Sequence, residues 1–226
     1  MKYKYQMHTH TTPCSKCAPM TPQELIEALL SGGYKGCVLT NHFYNGNTGI
    51  DRNLSWNEFV RAYENDYYEC KRIAKAYDLD VIFCIEEHLF DGLEIFCYGI
   101  TPQFLYDHPE LHGNRTIEAW SNALHEFGAL CIQAHPFRDR NYIKNPRLLP
   151  LEFIDGIEVF NACNDPETNA KARQVADDYP ELILTAGGDA HLGQSVCWSG
   201  IETNKRITDE KTLLKVLKSK DYELII

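Results

Sequence analysis

Short apolar runs alternate with amphipathic stretches along the whole chain, the pattern that strands and packing helices leave in a parallel α/β fold. The runs predict strands near Tyr3–Met7, Gly36–Thr40, Val81–Ile85, Ala129–Ala134, Gly156–Val159, Leu182–Ala186 and Ser199–Glu202. A further run, Leu93–Ile100, is expected to pair with the third strand or to extend it. Helices fill the intervals and carry their own start signals. Thr21-Pro22-Gln23-Glu24 is a capping box with proline at the first helical position, and Gly32-Gly33 ends that helix. Ser55 with Glu58 opens a long helix in which Phe59, Tyr63, Tyr67, Cys70 and Ile73 recur at helical spacing, so these aromatics read as packing residues. Asp165-Pro166 starts another helix, and Thr208 starts the last, with Leu213, Leu214 and Leu217 on one face. Seven strands alternating with helices predict a closed or nearly closed (β/α) barrel, with a doubly wound open sheet as the alternative. The segments Asn45–Asn53, Thr101–Asn114 and Arg138–Pro150 are long for connections in such a fold, and loops of that length carry function or move.

The polar residues at the strand ends point to chemistry. His8 and His10 end the first strand, Asn41-His42 follow the second, Glu86 and Glu87 close the third, His135 closes the fourth, and Asp189 and His191 follow the sixth. In a parallel barrel the C-terminal strand ends open onto one face, where active sites are built. Candidate metal ligands from five strands therefore converge on one mouth. The local spacing agrees with this. His8-Thr9-His10 puts both imidazoles on one side of a strand, and Asp189-Ala190-His191 repeats the device with a carboxylate. Mixed imidazole and carboxylate donors suit zinc, manganese or iron better than magnesium or calcium. A carboxylate such as Glu86 can bridge two cations, and a two-metal clamp stabilises both the attacking and the leaving oxygen of a displacement.

The segments MHTHTT, LTNH, CIEE, AHPF, GIEVFNA and GGDAH, in this order, make essentially the whole chain resemble the PHP (polymerase and histidinol phosphatase) family. The resemblance implies one domain over residues 1–226, a distorted (β/α)7 TIM-like barrel with two or three divalent transition-metal ions, and phosphoesterase activity as in stand-alone members. Position by position it implies His8, His10, Glu86 and Asp189 at a first metal, Glu86 and His135 at a second, and His42 with His191 at a third. Glu86 rather than Glu87 matches the family position. Three departures stand out. Asn41 replaces the usual aspartate before His42, Cys14-Ser15 stand where the loop after His10 usually brings a further ligand, and Glu94 stands where a histidine is common. Glu94 can still serve the second metal as a carboxylate, ahead of His88, His108 or His112. His108, His112 and His125 read as solvated surface residues.

Composition narrows the function further. The 226 residues are 44% hydrophobic, which is ample for one core. No apolar run is long enough to span a membrane, and the first residues lack a signal-peptide pattern, so a cytoplasmic address is expected. Of the nine cysteines, Cys37, Cys84 and Cys131 lie in apolar runs and read as small hydrophobes. The lone pair Cys14-Ser15-Lys16-Cys17 reads as structural or incidental, although a thiolate from Cys14 or Cys17 can rescue the thin third metal position and would bias it toward zinc over manganese. A net charge of −10 with no basic cluster argues against duplex nucleic acid. A small phosphorylated metabolite remains compatible, because metals and arginines make a site locally positive. The expected reaction is phosphoester hydrolysis by a metal-bound hydroxide, with Arg138 clamping the phosphoryl group bidentately. Two alternatives keep the metals: hydrolysis of a C–N or carboxylic ester bond, and a non-catalytic, metal-stabilised interaction domain.

Overall fold

Each of the seven apolar runs lies on a strand in the computed structural model, which describes residues 2–196 and 198–226. In chain order the elements are β1 (Tyr3–Thr9), α1 (Pro22–Ser31), β2 (Gly36–Leu39), α2 (Trp56–Lys75), β3 (Asp80–Phe83), β4 (Glu86–His88), β5 (Glu94–Tyr98), α3 (Pro102–Asp107), α4 (Ile117–Phe127), β6 (Leu130–Gln133), β7 (Gly156–Asn161), α5 (Pro166–Asp178), β8 (Ile183–Gly187), β9 (Gly200–Thr203), α6 (Glu210–Ser219) and β10 (Glu223–Ile225). Helix starts follow their capping chemistry. Thr21 and Glu24 exchange the reciprocal bonds of a capping box at α1, a device that contributes about 0.5–2 kcal/mol. Helix α6 starts one residue later than Thr208 suggests, because the Asp209 carboxylate accepts from the Thr212 amide and is the cap. None of the described helices is long and apolar enough to cross a membrane.

The strands form a mixed α/β fold of two five-stranded sheets, β10-β9-β1-β2-β3 and β4-β5-β6-β7-β8. This corrects the expectation of an all-parallel barrel: among the described residues no hydrogen-bonded barrel closes. β1, β2 and β3 are parallel, as are β6, β7 and β8, but β9 runs antiparallel to β1 and β5 antiparallel to both β4 and β6. Connection length explains β5. Residues 89–93 are all that separate it from β4, and a parallel return needs a crossover of about a dozen residues or more. Glu86 and Glu87 likewise do not close the third strand. β3 ends at Phe83, and Cys84-Ile85 carry the chain across to open β4 in the other sheet.

The sheets approach each other at two isolated parallel bridges, His42 with Glu86 and Thr9 with Ala190. Both lie at the C-terminal ends of β1, β2 and β8, so the seams between the sheets flank one mouth. The reversed β5 reaches the same place from its other end. Ile95 pairs with Gln133 at the end of β6, which puts Glu94, the first residue of β5, beside the turn that carries His135. Below the mouth, Met7, Val38, Ile82, Phe96 and Ile132 of the two sheets share one buried apolar cluster. Phe96 from that cluster meets the His8 ring edge-on at 4.6 Å. On the outside of the first sheet, Phe43 packs edge-to-face on Phe59 and Tyr63 of α2, which fixes the backbone next to His42.

Candidate metal centre

The eight expected ligands come together at that mouth. His8 and His10, two apart on β1, place their Nε2 atoms 2.9 Å apart. Asp189 Oδ1 lies 3.2 Å from His8 Nε2 and 3.3 Å from His10 Nε2. Glu86 spans the centre: Oε1 is 3.3 Å from His8 Nε2 and 3.0 Å from His135 Nε2, and Oε2 is 2.8 Å from His42 Nδ1. Glu94 Oε2 is 3.4 Å from His135 Nε2. The His191 ring stacks on that of His10 with centroids 4.4 Å apart. Donor atoms of four overlapping groups lie close enough to hold an ion: His8/His10/Glu86, His8/His135/Asp189, His42/Glu86/Glu94 and His10/His42/His191. His135 and Asp189 sit in left-handed backbone, at φ +27° and +47°. Non-glycine residues pay for that conformation, and it concentrates at functional sites.

A second layer of side chains aims these donors, and the sequence patterns did not single it out. Glu158 on β7 accepts from His8 through Nδ1 at 2.9 Å, from the His135 amide at 3.0 Å and from Asn161 Nδ2 at 2.9 Å. With its Nδ1 proton so held, His8 presents the Nε2 lone pair to the centre. Gly187 makes room for this pair, since a Cβ there would collide with the Glu158 carboxylate and the base of His8. Ser15 does for His10 what Glu158 does for His8. Its Oγ lies 3.0 Å from His10 Nδ1, donates to Asn41 Oδ1 and accepts from the His42 amide. Ser15 is thus a buried orienting group and not a vacant ligand position. The Asn41 amide donates to Asp66 Oδ2 at 2.7 Å. An aspartate at position 41 would confront that buried carboxylate, which gives the asparagine a physical reason. Burial pushes Asp66 up to about 6, against hydrogen bonds from Thr11 and Asn41 that lower it.

The charges call for a cation. Glu86, Glu94, Glu158 and Asp189 are all buried here, with Arg138 as the buried guanidinium beside them. Burial opposes charge on His8 and His42, yet the surrounding carboxylates outweigh it and hold both well above the usual histidine range. Burial and the neighbouring His42 push His10 well below that range. Burial would raise Glu86 and Asp189, but His8, with His42 on Glu86 and Arg138 on Asp189, holds both well below the usual carboxylate range. His42 Nδ1 and Glu86 Oε2 are buried and 2.8 Å apart, but neither makes a well-aligned hydrogen bond. So many buried donor atoms gathered within a few ångströms are costly without a partner ion. The donor set therefore fits divalent cations.

Over the centre lies a cavity of about 450 Å³, enough for a small ligand. Arg138 lines it, buried, with NH2 2.7 Å from Asp189 Oδ2 and Nε donating to Asn164 Oδ1. The long connections contribute as well: Asn45, Gly46 and Asn47 come from one and Tyr142 from another. Two residues set aside on sequence grounds line the cavity. His88 Nδ1 is 3.5 Å from Glu94 Oε1, because the two face each other across β4 and β5. Cys17 Sγ is 3.1 Å from His191 Nε2. Burial alone would raise this thiol, but hydrogen bonds with His191 and His42 bring it down to about 6. Cys14 is buried elsewhere, against the Tyr63 carbonyl. Glu87 turns away from the centre to the amides of Asn45 and His88. His108 pairs with Glu110, His125 with Asp155, and His112 packs on Tyr44 and Trp56, all away from the site.

No family model matches the chain, and no curated protein matches it in sequence. Solved structures do match. A Bifidobacterium adolescentis protein assigned as a metal-dependent phosphoesterase aligns with a TM-score of 0.60 and 14% identity, over 95% of this chain and 96% of that one. A two-domain Bacteroides vulgatus protein containing a predicted PHP-like metal-dependent phosphoesterase aligns with a TM-score of 0.70 and 13% identity, over 99% of this chain and 64% of that one. The lesion-specific endonuclease PfuEndoQ from Pyrococcus furiosus aligns with a TM-score of 0.65 and 12% identity, over 100% of this chain and 58% of that one. The resemblance carried by the sequence segments and the likeness of the architecture agree, and the chain has the TIM-like fold of the PHP-like metal-dependent phosphoesterases.

Proposed function

We propose that this chain is a metal-dependent phosphoesterase that hydrolyses a small phosphorylated metabolite, with the eight residues His8, His10, His42, Glu86, Glu94, His135, Asp189 and His191 holding two or three ions in a distorted barrel mouth. The observation that carries the reading is the convergence of four overlapping groups of histidine and carboxylate donors on the mouth, with Glu86 in contact with His8, His42 and His135. Divalent ions held there would supply Lewis acidity and lower the pKa of water, one route to phosphoester hydrolysis at neutral pH. The protein's own part is positioning. Glu158 and Ser15 fix the rings of His8 and His10, and Arg138, anchored by Asp189 and Asn164, offers its remaining N–H groups to a phosphoryl oxygen at the cavity wall. A cavity of about 450 Å³ favours a small molecule over a polymer, and the net charge of −10 favours the same choice. The structurally similar lesion-specific endonuclease makes a damaged nucleic acid the rival substrate class.

The test is hydrolysis of a panel of phosphorylated metabolites, read as phosphate release for monoesters and as product formation for diesters, with damaged oligonucleotides and ester and amide substrates as separate arms. Protein loaded with zinc, manganese or iron is compared with chelated protein. Turnover of one or more phosphomonoesters or phosphodiesters, lost on chelation and restored by metal, is the expected result. Cleavage confined to C–N or carboxylic ester bonds would replace the phosphoesterase reading with the other hydrolase. Ion binding with no turnover in any arm would leave a metal-stabilised interaction domain.

A further inference from the structure

We propose that Cys17 is a metal ligand, and that its thiolate completes the position of His42 and His191 as a sulfur-bearing site that favours zinc over manganese. The inference rests on the metal reading above and adds a donor to it. His191 Nδ1 lies 2.8 Å from the Asp189 carbonyl, so Nδ1 carries the ring proton and Nε2 the lone pair. That lone pair faces Cys17 Sγ at 3.1 Å. A tetrahedral ion bound by one sulfur and one imidazole nitrogen separates the two donors by about 3.6 Å, so a shift of about half an ångström suffices. Imidazole nitrogens of His10, His42 and His191 lie within 4.8 Å of one another, and Cys17 adjoins this cluster through His191. His42 also meets Glu86, Nδ1 to Oε2 at 2.8 Å, and so joins this cluster to the rest of the centre.

The loop that presents Cys17 is tied down on both sides. Ser15 is bonded to Asn41 and to the His42 amide, Lys16 N donates to the Asn47 carbonyl and Ala18 N to the Ser15 carbonyl. A donor on so constrained a backbone is held ready for its ion. Among the described residues, the other cysteines near the mouth are turned elsewhere, Cys14 to the Tyr63 carbonyl and Cys163 to the Gly188 carbonyl. Coordination releases the thiol proton to solvent and leaves the thiolate on the ion. Two neutral imidazoles are a thin donor set for a divalent ion, and one thiolate supplies both the missing charge and a soft donor that manganese does not prefer.

Cobalt(II) titrated anaerobically into chelated protein separates the outcomes, with bound cobalt counted after gel filtration and absorbance recorded in the near ultraviolet. Wild type should develop a sulfur-to-cobalt charge-transfer band. Cys17→Ser should lose the band and about one bound ion while keeping the rest, and its preference for zinc over manganese at that position should fall about tenfold or more. Cys163→Ser should keep the band. Because the band could be lost through misfolding, the wild-type protein supplies a second reading: zinc should protect Cys17 from alkylation, resolved by peptide mass spectrometry. Bound cobalt with no sulfur band, a band that survives Cys17→Ser, or alkylation of Cys17 unchanged by bound zinc each overturns the assignment and leaves the imidazole–carboxylate centre intact. No bound cobalt at all overturns the metal reading as well.

Discussion

Glu158 Oε1 lies 2.9 Å from His8 Nδ1, and the same carboxylate accepts the backbone amide of His135. One buried side chain on β7 therefore orients a donor on β1 and another on the turn after β6. Such outer partners contribute about tenfold to a hundredfold in metal affinity or activity. Glu158→Ala should lower retained metal and phosphate release within that range, because it leaves the His8 ring unheld and the His135 amide unpaired. Glu158→Gln keeps an acceptor and should fall between Ala and wild type. Equal ion content and turnover in all three proteins would show that Glu158 only fills space.

The Asn41–Asp66 contact predicts a charge swap. Asn41→Asp puts a second carboxylate against Asp66 and should lower the melting temperature, while Asp66→Asn added to it should restore most of the loss. A pH dependence accompanies the pair. Folding raises Asp66 from its ordinary 3.8 to about 6, so the folded state holds its proton more tightly than the unfolded chain. The associated stability is fully present below about pH 4 and is lost as pH rises through 6. Asp66→Asn should match wild type near pH 4 and exceed it near pH 8, by roughly 1–3 kcal/mol in chelated protein. A difference that stays constant between those pH values would contradict the burial argument.

Arg138 reaches Asp189 Oδ2 and Asn164 Oδ1 from a buried position at the cavity wall. If its remaining N–H groups meet the substrate phosphate, Arg138→Ala should lower kcat/KM by about one to three decades. Arg138→Lys should recover only part of this, since a point charge cannot span the same partners. Metal content should change less than tenfold, because Asp189 keeps its contacts with His8 and His10. Activity within about twofold of wild type would make Arg138 a brace for Asp189 and nothing more.

What the sequence made legible was local. The period-two pair His8-Thr9-His10 and the strand-end positions of His42, His135 and Asp189 mark the mouth directly, because strand pleat and strand polarity decide where such side chains point. Glu94 was legible for a less general reason: it reaches the mouth as the first residue of the antiparallel β5, which no parallel scheme predicts. The two-sheet arrangement depends on the short 89–93 connection, whose consequence shows only once β4 is recognised at Glu86–His88. That three-residue strand is too short to leave a hydrophobic period. Glu158, Asp66 and Ser15 act across distances of 150, 25 and 5 residues along the chain. For Glu158, the clue was a carboxylate inside the otherwise apolar stretch 156–160, where a buried charge needs a partner. For Cys17 the sequence left a choice open, since a lone CxxC pattern does not distinguish the buried Cys14 from the cavity-lining Cys17 as the thiolate for the third metal position.

The central claim is that these residues bind catalytic metal ions, and counting the ions tests it most directly. Elemental analysis of protein saturated with zinc or manganese and freed of excess should find about two or more ions per wild-type chain. Glu86 touches His8, His42 and His135, so Glu86→Ala should reduce the count to about one or fewer and abolish phosphate release while the protein stays folded. Fewer than about one ion per wild-type chain after saturation, or an unchanged count in Glu86→Ala, would contradict the account.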